Sequence, residues 1–392
     1  MNVRPGRSGW MWGGRDIDAE VAVVGAGPAG SALAAMLGRA GVRTVLLDRA
    51  RFPRDKPCGE GLLPAGVSVL EEIGVPLHPF PTLGGVSYRV PLAGSANGDF
   101  VNGTTGRGVR RLAFDHLLAG HAQSTPNVEA WFGCDAGGLE LRSRDVVLRT
   151  NAGDIGCRFV IGADGLRSRV AGWMGWARAP RSRRFGLVGH LAAPRHGVDR
   201  VVVTLGPAAE VYSAPTGPDE LLVAVLSSKR GLRDRDEPAR EAYARHVRSA
   251  HPELSVPGDV TVHGAGPFWV RPTRVAAGPV FLLGDAAGFL DPLTGDGMSD
   301  ALVAARKLAS LISSEEPDPA LHYRRWERGQ WRRRLFVNRL ALTLTGSSGF
   351  ARRALRGLQR RPSTLNRLLE INDGTRGISS LSLRDWTALV GV

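Results

Sequence analysis

A parallel, helix-covered α/β fold carrying an inserted antiparallel sheet is what this sequence predicts, on three observations. A Val/Ala run over 20–25 meets the turn Gly25-Ala26-Gly27-Pro28-Ala29-Gly30, and the pattern then changes from strand to helix. A second strand-like run over 42–47 follows that helix at once, closing a βαβ unit of about 30 residues. Far downstream, β-rich runs bounded by Pro and Gly fill 185–227, and the C-terminal stretch beyond 297 reads as mostly helical.

Taken in order, the first helix spans 27–41, where Ala29, Ala32, Ala34, Ala35, Leu33 and Leu37 suit tight packing on a sheet and Gly41 ends it. A long loop over 49–64 leads to a helix at 65–73, and 76–103 reads as loops and weak strands. Helix 112–123 follows, then strands at 146–150 and 158–161 that return to the first sheet before Ala163-Asp164-Gly165. Runs such as 201–205 and 221–226 predict a mainly antiparallel second sheet, with a helix at 237–249 and a last buried strand at 280–283. The expected division is a disordered leader at 1–16, one domain from 17–75, 104–176 and 277–345, a substrate domain from 76–103 and 177–276, and a C-terminal helical region at 346–392.

Length and composition narrow the function classes. A chain of 392 residues exceeds one ordinary core, and 43% hydrophobic with 22% charged residues is globular, with no apolar run of the roughly 20 residues a spanning helix needs. Cys58, Cys134 and Cys157 are too few and scattered for a disulfide framework or a metal site, which predicts a cytoplasmic protein without a bound metal. The net charge of +14 concentrates in 323–362, where twelve arginines face one acid, Glu327. No nucleic-acid-binding signature accompanies it, so a solvated face is the first expectation. The second is peripheral contact with an anionic membrane through Trp326, Trp331, Leu335 and Phe336 beside Arg328, Arg332 and Arg339.

Gly25, Gly27 and Gly30 form G-x-G-x-x-G between a strand and a helix, with Asp48 at the end of the next strand. Such glycines permit a tight turn and close approach of a pyrophosphate to the helix N-terminus, beside Ala29, while the acid accepts ribose hydroxyls. The later Gly284-Asp285-Ala286-Ala287 and Pro292-Leu293-Thr294-Gly295-Asp296-Gly297-Met298 point to FAD among dinucleotides. An acid at a strand end suits ribityl hydroxyls, and a Gly-rich turn opening a helix near Met298 would aim amides at the flavin edge where charge develops on reduction.

With Arg111-Leu112-Ala113-Phe114-Asp115 and Gly162-Ala163-Asp164-Gly165, these motifs make the chain resemble the FAD-dependent group of aromatic hydroxylases, geranylgeranyl reductases and flavin-dependent halogenases over nearly its whole length. The resemblance implies a Rossmann-type FAD-binding domain with an inserted substrate sheet. It also implies that Arg111 reaches the FAD pyrophosphate or ribityl region. Asp164 and Asp285 have an additional reading as N-caps of the helices behind them. Arg54-Asp55-Lys56-Pro57-Cys58-Gly59-Glu60-Gly61 resembles the R-x-K-x-C-G segment of geranylgeranyl reductases, which would place Cys58, Gly59 and Gly61 beside the flavin, the thiol as a packing group.

Three reactions then compete. Prenyl reductases carry Y-x-W-x-F-P where this chain has Tyr212-Ser213-Ala214-Pro215, and Trp173-Met174-Gly175-Trp176 does not match the halogenase motif W-x-W-x-I-P. Those departures favour an FAD-dependent monooxygenase of an aromatic or polyketide-like small molecule, lipid-tailed or not, with NAD(P)H as reductant and molecular oxygen as co-substrate. Carbon–carbon double-bond reduction is the alternative, and a flavin electron carrier the non-enzymatic one. His190 is a candidate base and Tyr212 a candidate substrate contact.

Overall fold

The computed structural model describes residues 10–12, 15–101, 103–143, 145–194, 196–232 and 236–391. Of the expected disordered leader, 1–9, 13 and 14 lie outside the described residues. Trp10–Trp12 and Arg15–Ile17 depart from that expectation and pair as antiparallel strands, because their ladder hydrogen bonds satisfy one another.

The first sheet is built around the strand Ala19–Val24. Parallel to it run Thr44–Asp48 and Val128–Phe132 on one side, and Ile155–Gly162 and Val280–Leu282 on the other; the antiparallel strands Val146–Thr150 and Ala136–Leu141 extend the sheet beyond Ile155–Gly162. Val21, Ala22 and Val23 are fully buried because helices cover both faces. The Val128–Phe132 and Ala136–Leu141 strands are absent from the sequence expectations: each residue of the first is only half-buried, so its pattern is weak. Helix Pro28–Arg39 buries ten of its twelve residues against the sheet and its helical neighbours, which only its small side chains allow.

The second sheet runs in the order His263–Ala265, Arg184–Ala192, Glu220–Ser228, Glu210–Gly217, Val201–Leu205, Gly85–Val90, Gly94–Asp99. Every pairing is antiparallel except that of Val201–Leu205 with Gly85–Val90. Strict alternation divides its residues between two faces. Val211, Val223 and Val225 pack under helix Ala239–Ala250 with Tyr243, whereas Tyr212, Ala214, Leu222 and Ala224 face the opposite side.

Helix Gly297–Ser313 packs on the Pro28–Arg39 helix, and the long helix Pro319–Thr345 follows. Tyr323, fully buried, donates to Leu282 O at 3.1 Å and stacks with Trp326. Helices Ser348–Arg360, Pro362–Asp373 and Leu383–Val390 then close over the Gly85–Asp99 end of the second sheet, where Leu355, Leu358, Leu365 and Leu389 share a core with Val90 and Ala96. No helix among the described residues is long and apolar enough to cross a membrane.

Candidate functional site

A cleft of about 460 Å³ opens between the two sheets. Its walls come from the Gly27 turn, the loop 56–61, Arg111, the Asp164-Gly165 turn, strands of the second sheet, and the turns at Gly284 and Pro292–Met298.

The three glycines of the first turn serve different purposes. Gly25 sits at φ +108, and a Cβ there would lie 2.5 Å from Ala163 O; at Gly30 a Cβ would lie 1.9 Å from Gly25 O. Both are required by the fold, and neither lines the cleft. Gly27 does line it, and its Cβ would meet nothing nearer than the Arg54 guanidinium at 3.7 Å. The space beside Gly27 is thus left open by the protein itself. Ala29 also reaches the wall.

Asp48 ends its strand as expected, yet its carboxylate does not face the cleft. It accepts Ala26 N at 2.9 Å and Ala50 N at 2.8 Å, so it holds the glycine turn against the strand end. The opposite wall repeats the logic. Asp164 lines the cleft and accepts Arg169 N at 2.6 Å and Val170 N at 3.2 Å through Oδ2, capping the helix Arg169–Trp173 together with Ser168, while its buried Oδ1 has no partner. Asp285 caps no helix, and its carboxylate, at the cleft wall, has no hydrogen bond among the described residues.

Gly295 adopts φ +67 just before the 17-residue helix Gly297–Ser313. No side chain caps that helix, since Asp296 is turned to Thr294 Oγ1 at 2.8 Å, and Gly295 and Gly297 would admit a Cβ with at most Phe289 at 3.7 Å. Orphan amides at a helix N-terminus therefore border the cleft beside Pro292 and Met298. Burial, reinforced by Asp300, raises the Asp296 carboxyl to about 6.

The loop 56–61 supplies the densest chemistry. Burial lowers the Lys56 ammonium, opposed chiefly by Asp285 across the cleft. Burial likewise pushes the Cys58 thiol up, with Arg111 only partly opposing, so Cys58 is a thiol rather than a reactive thiolate. Arg111 is buried and gripped by Asp115 in a bidentate fork at 2.6 and 2.7 Å; burial works against its charge, but Asp115 outweighs it. Gly59 and Gly61 leave room for Tyr212, whose hydroxyl lies 2.6 Å from where a Gly61 Cβ would stand. Tyr212 lines the cleft, as expected of a substrate contact. His190 does not: its Nε2 lies 2.7 Å from Glu60 Oε2, and Glu60 reaches the wall instead. Glu60 was not among the expected site residues, although its place between two glycines in the 54–61 segment was the available signal.

A second, apolar hollow of about 100 Å³ joins the cleft where both share Gly61, Tyr212 and Gly295. From there it runs between the second sheet and the C-terminal helices, walled by Leu83, Val203, Leu340, Leu355, Leu365 and Leu369.

An open glycine, uncapped amides and an unpartnered carboxylate arrayed along one cleft fit a long molecule with an anionic centre and hydroxyls. Comparison with known proteins agrees. The family described as FAD binding domain matches residues 18–335. A menaquinone reductase of Mycobacterium tuberculosis is 30% identical over 400 residues, covering 96% of this chain and 95% of that protein. Digeranylgeranylglycerophospholipid reductase 1 of Methanothermobacter thermautotrophicus is 28% identical over 331 residues, 76% of this chain and 78% of that one. Among solved structures, a flavoprotein/dehydrogenase from Cytophaga hutchinsonii superposes with TM-score 0.76 at 19% identity, covering 91% of this chain and 93% of that one. An anhydrotetracycline hydroxylase from Streptomyces rimosus gives 0.73 at 22%, covering 91% and 76%; at such identities these two share the fold alone. The chain belongs to the FAD binding domain family and is a flavin-dependent oxidoreductase.

Proposed function

We propose that this protein is a flavin-dependent reductase that saturates a carbon–carbon double bond in an isoprenoid chain. The mostly apolar hollow joined to the cleft at Tyr212 carries this reading: its aliphatic walls offer a flexible hydrocarbon chain burial at roughly 25 cal/mol per Å², with Tyr88, Thr294, Thr345 and Asn372 as its few polar side chains besides Tyr212. Two relatives that span most of the chain are named for quinone or prenyl-lipid reduction.

In this reading Gly27 and Ala29 admit the FAD pyrophosphate, Asp285 accepts ribityl hydroxyls, Arg111 and Asp164 border the ribityl region, and the amides at Gly295, Gly297 and Met298 face the flavin edge. Gly25, Gly30 and Asp48 act one step back, by holding the turn. When bound, reduced FAD would supply a hydride, with NAD(P)H as the proposed source of electrons. Cys58, Gly59, Gly61 and Tyr212 surround the junction of cleft and hollow, where the reacting bond would lie, and the aliphatic walls exclude water from it.

Hydroxylation with molecular oxygen is the second reading, favoured by the departure of Tyr212-Ser213-Ala214-Pro215 from the prenyl-reductase motif. Incubation of the FAD-loaded protein and NADPH with a menaquinone bearing an unsaturated tail separates the readings. Anaerobic gain of one H₂ in the tail is the expected result. Incorporation of labelled oxygen under air, with no saturation, would replace it with hydroxylation, and neither product would leave an electron carrier.

Contact with an anionic membrane is proposed for a different face from the one expected. Trp326 packs on Tyr323 and Trp331 lies beneath Arg271 at 4.1 Å, so each is only half-exposed. Instead, helix Ser348–Arg360, whose buried face walls the hollow, exposes Arg352, Arg353, Arg356 and Arg360, with Phe350, Leu383, Trp386 and Val390 exposed nearby on the same helical cap. An anionic bilayer is the partner this surface suits.

A further inference from the structure

Glu60 occupies a position that glycine would fill without strain. It lies between Gly59 and Gly61 at φ +57, yet carries a side chain that is 1% exposed and lines the cleft. Its two carboxylate oxygens have separate partners: Oε1 accepts Arg111 N at 2.8 Å, and Oε2 lies 2.7 Å from His190 Nε2. His190 comes from strand Arg184–Ala192 of the second sheet, its side chain 12% exposed against 1% for Glu60. The pair thus links the 56–61 loop to the second sheet, with His190 the more exposed member.

The other titratable groups facing Glu60 are already committed. Cys58 Sγ accepts Glu60 N at 3.4 Å and is held as a thiol; the Arg111 guanidinium is locked to Asp115; Tyr212, its phenol raised by burial, stays protonated against Gly59 and Gly61.

We propose that Glu60 and His190 form the proton relay of the reaction, with Glu60 as donor into the cleft and His190 as its source. This rests on the reading of the protein as a double-bond reductase. Saturation requires a hydride at one carbon and a proton at the other. Reduced FAD, when bound, would supply the hydride to one carbon; as the π bond breaks, its electron pair forms the second C–H bond with the proton on Glu60. The resulting carboxylate recovers a proton from the His190 imidazolium, and water restores His190.

The test uses FAD-loaded protein with Glu60→Gln and, separately, His190→Asn. E60Q keeps the acceptor for Arg111 N, so FAD content and its reduction by dithionite should match the wild type, while tail saturation falls about 100-fold. H190N should lower saturation about tenfold and alter its pH profile. Independently of turnover, the His190 ring nitrogens, followed by nitrogen-15 NMR, should change their chemical shifts in E60Q, because the group that Nε2 meets at 2.7 Å changes from a carboxyl to an amide. Wild-type saturation rate and pH profile in E60Q, or unmoved His190 ring signals, overturns the relay. A wild-type protein that saturates no isoprenoid chain overturns the functional reading instead. Should E60Q fail to retain FAD, H190N, which lies outside the cleft wall, decides the relay by its rate and pH profile.

Discussion

Gly27 and Gly30 stand three residues apart in one turn, and their surroundings separate what a ligand demands from what the fold demands. A Gly30 side chain would collide with Gly25 O, a backbone atom that cannot turn aside, whereas a Gly27 side chain would project into the open cleft. Gly27→Val is therefore expected to melt within about 3 °C of the FAD-stripped wild type but to purify without flavin, since it fills the space left for the pyrophosphate. Gly30→Ala is expected to lose stability outright, by roughly 2 kcal/mol or more, because overpacked backbone must move. Calorimetry and flavin absorbance on the same preparations test both. Asp285→Ala should weaken FAD binding about tenfold or more by removing a carboxylate acceptor, measured by flavin titration of stripped protein; undiminished affinity would remove Asp285 from the cofactor site.

Two carboxyls in the C-terminal helices respond to pH in opposite senses. Asp373, at the end of helix Pro362–Asp373, accepts Ala65 N at 3.0 Å from the first turn of helix Pro64–Glu72 and so ties the cap to the FAD-binding core. Burial raises its carboxyl to about 6, outweighing that hydrogen bond and Arg333. The folded state then holds its proton more tightly than the unfolded chain, so stability contributed below about pH 4 is lost as pH rises to about 6. Asp373→Asn, which can still accept Ala65 N, should remove this slope and raise stability at pH 7 by roughly 1–2 kcal/mol. Asp385 is the reverse case. Burial alone would raise it, but Ser382, Thr364 and Arg367 donate to it and hold it well below the usual carboxylate range. Its stabilisation is full above about pH 4 and fades as pH falls toward the lowered value. Asp385→Ala should cost about 2–4 kcal/mol and loosen helix Leu383–Val390 first, visible as early hydrogen exchange in 382–390.

For the molecule as a whole, the charge of +14 becomes a located property once the cap is folded. Arginines at 352, 353, 356 and 360 project from one helix, while Leu383 and Trp386 keep 79% and 39% exposure on the neighbouring one. Binding to anionic vesicles, weakened by salt and absent on neutral ones, is the expected outcome in co-sedimentation. Replacing Arg352 and Arg356 by Glu should cost about 2 kcal/mol or more of that binding, at about 1 kcal/mol per lost cation. No binding at low salt would reject the membrane role and leave a solvated arginine face.

The FAD-binding half was legible in the sequence because its signals are local: a glycine turn joins a strand to a helix within a few residues, and the Gly295–Met298 turn announces its own helix. Resemblance to the flavoprotein group pointed to Cys58 and Arg111 as cofactor neighbours, and the predicted substrate sheet to Tyr212; all three line the cleft. Tertiary structure alone decided which residues meet across the chain. Glu60 and His190 are 130 positions apart, and the hollow takes Leu83 and Val203 from the sheet and Leu355 and Leu369 from the last helices, so no window of sequence contains either. The same holds for Asp48 and Trp326, whose neighbours, rather than their residue types, turned one toward backbone amides and the other against the core. Pattern and turn chemistry act over one element, whereas burial and pairing of a side chain depend on what the fold brings opposite to it.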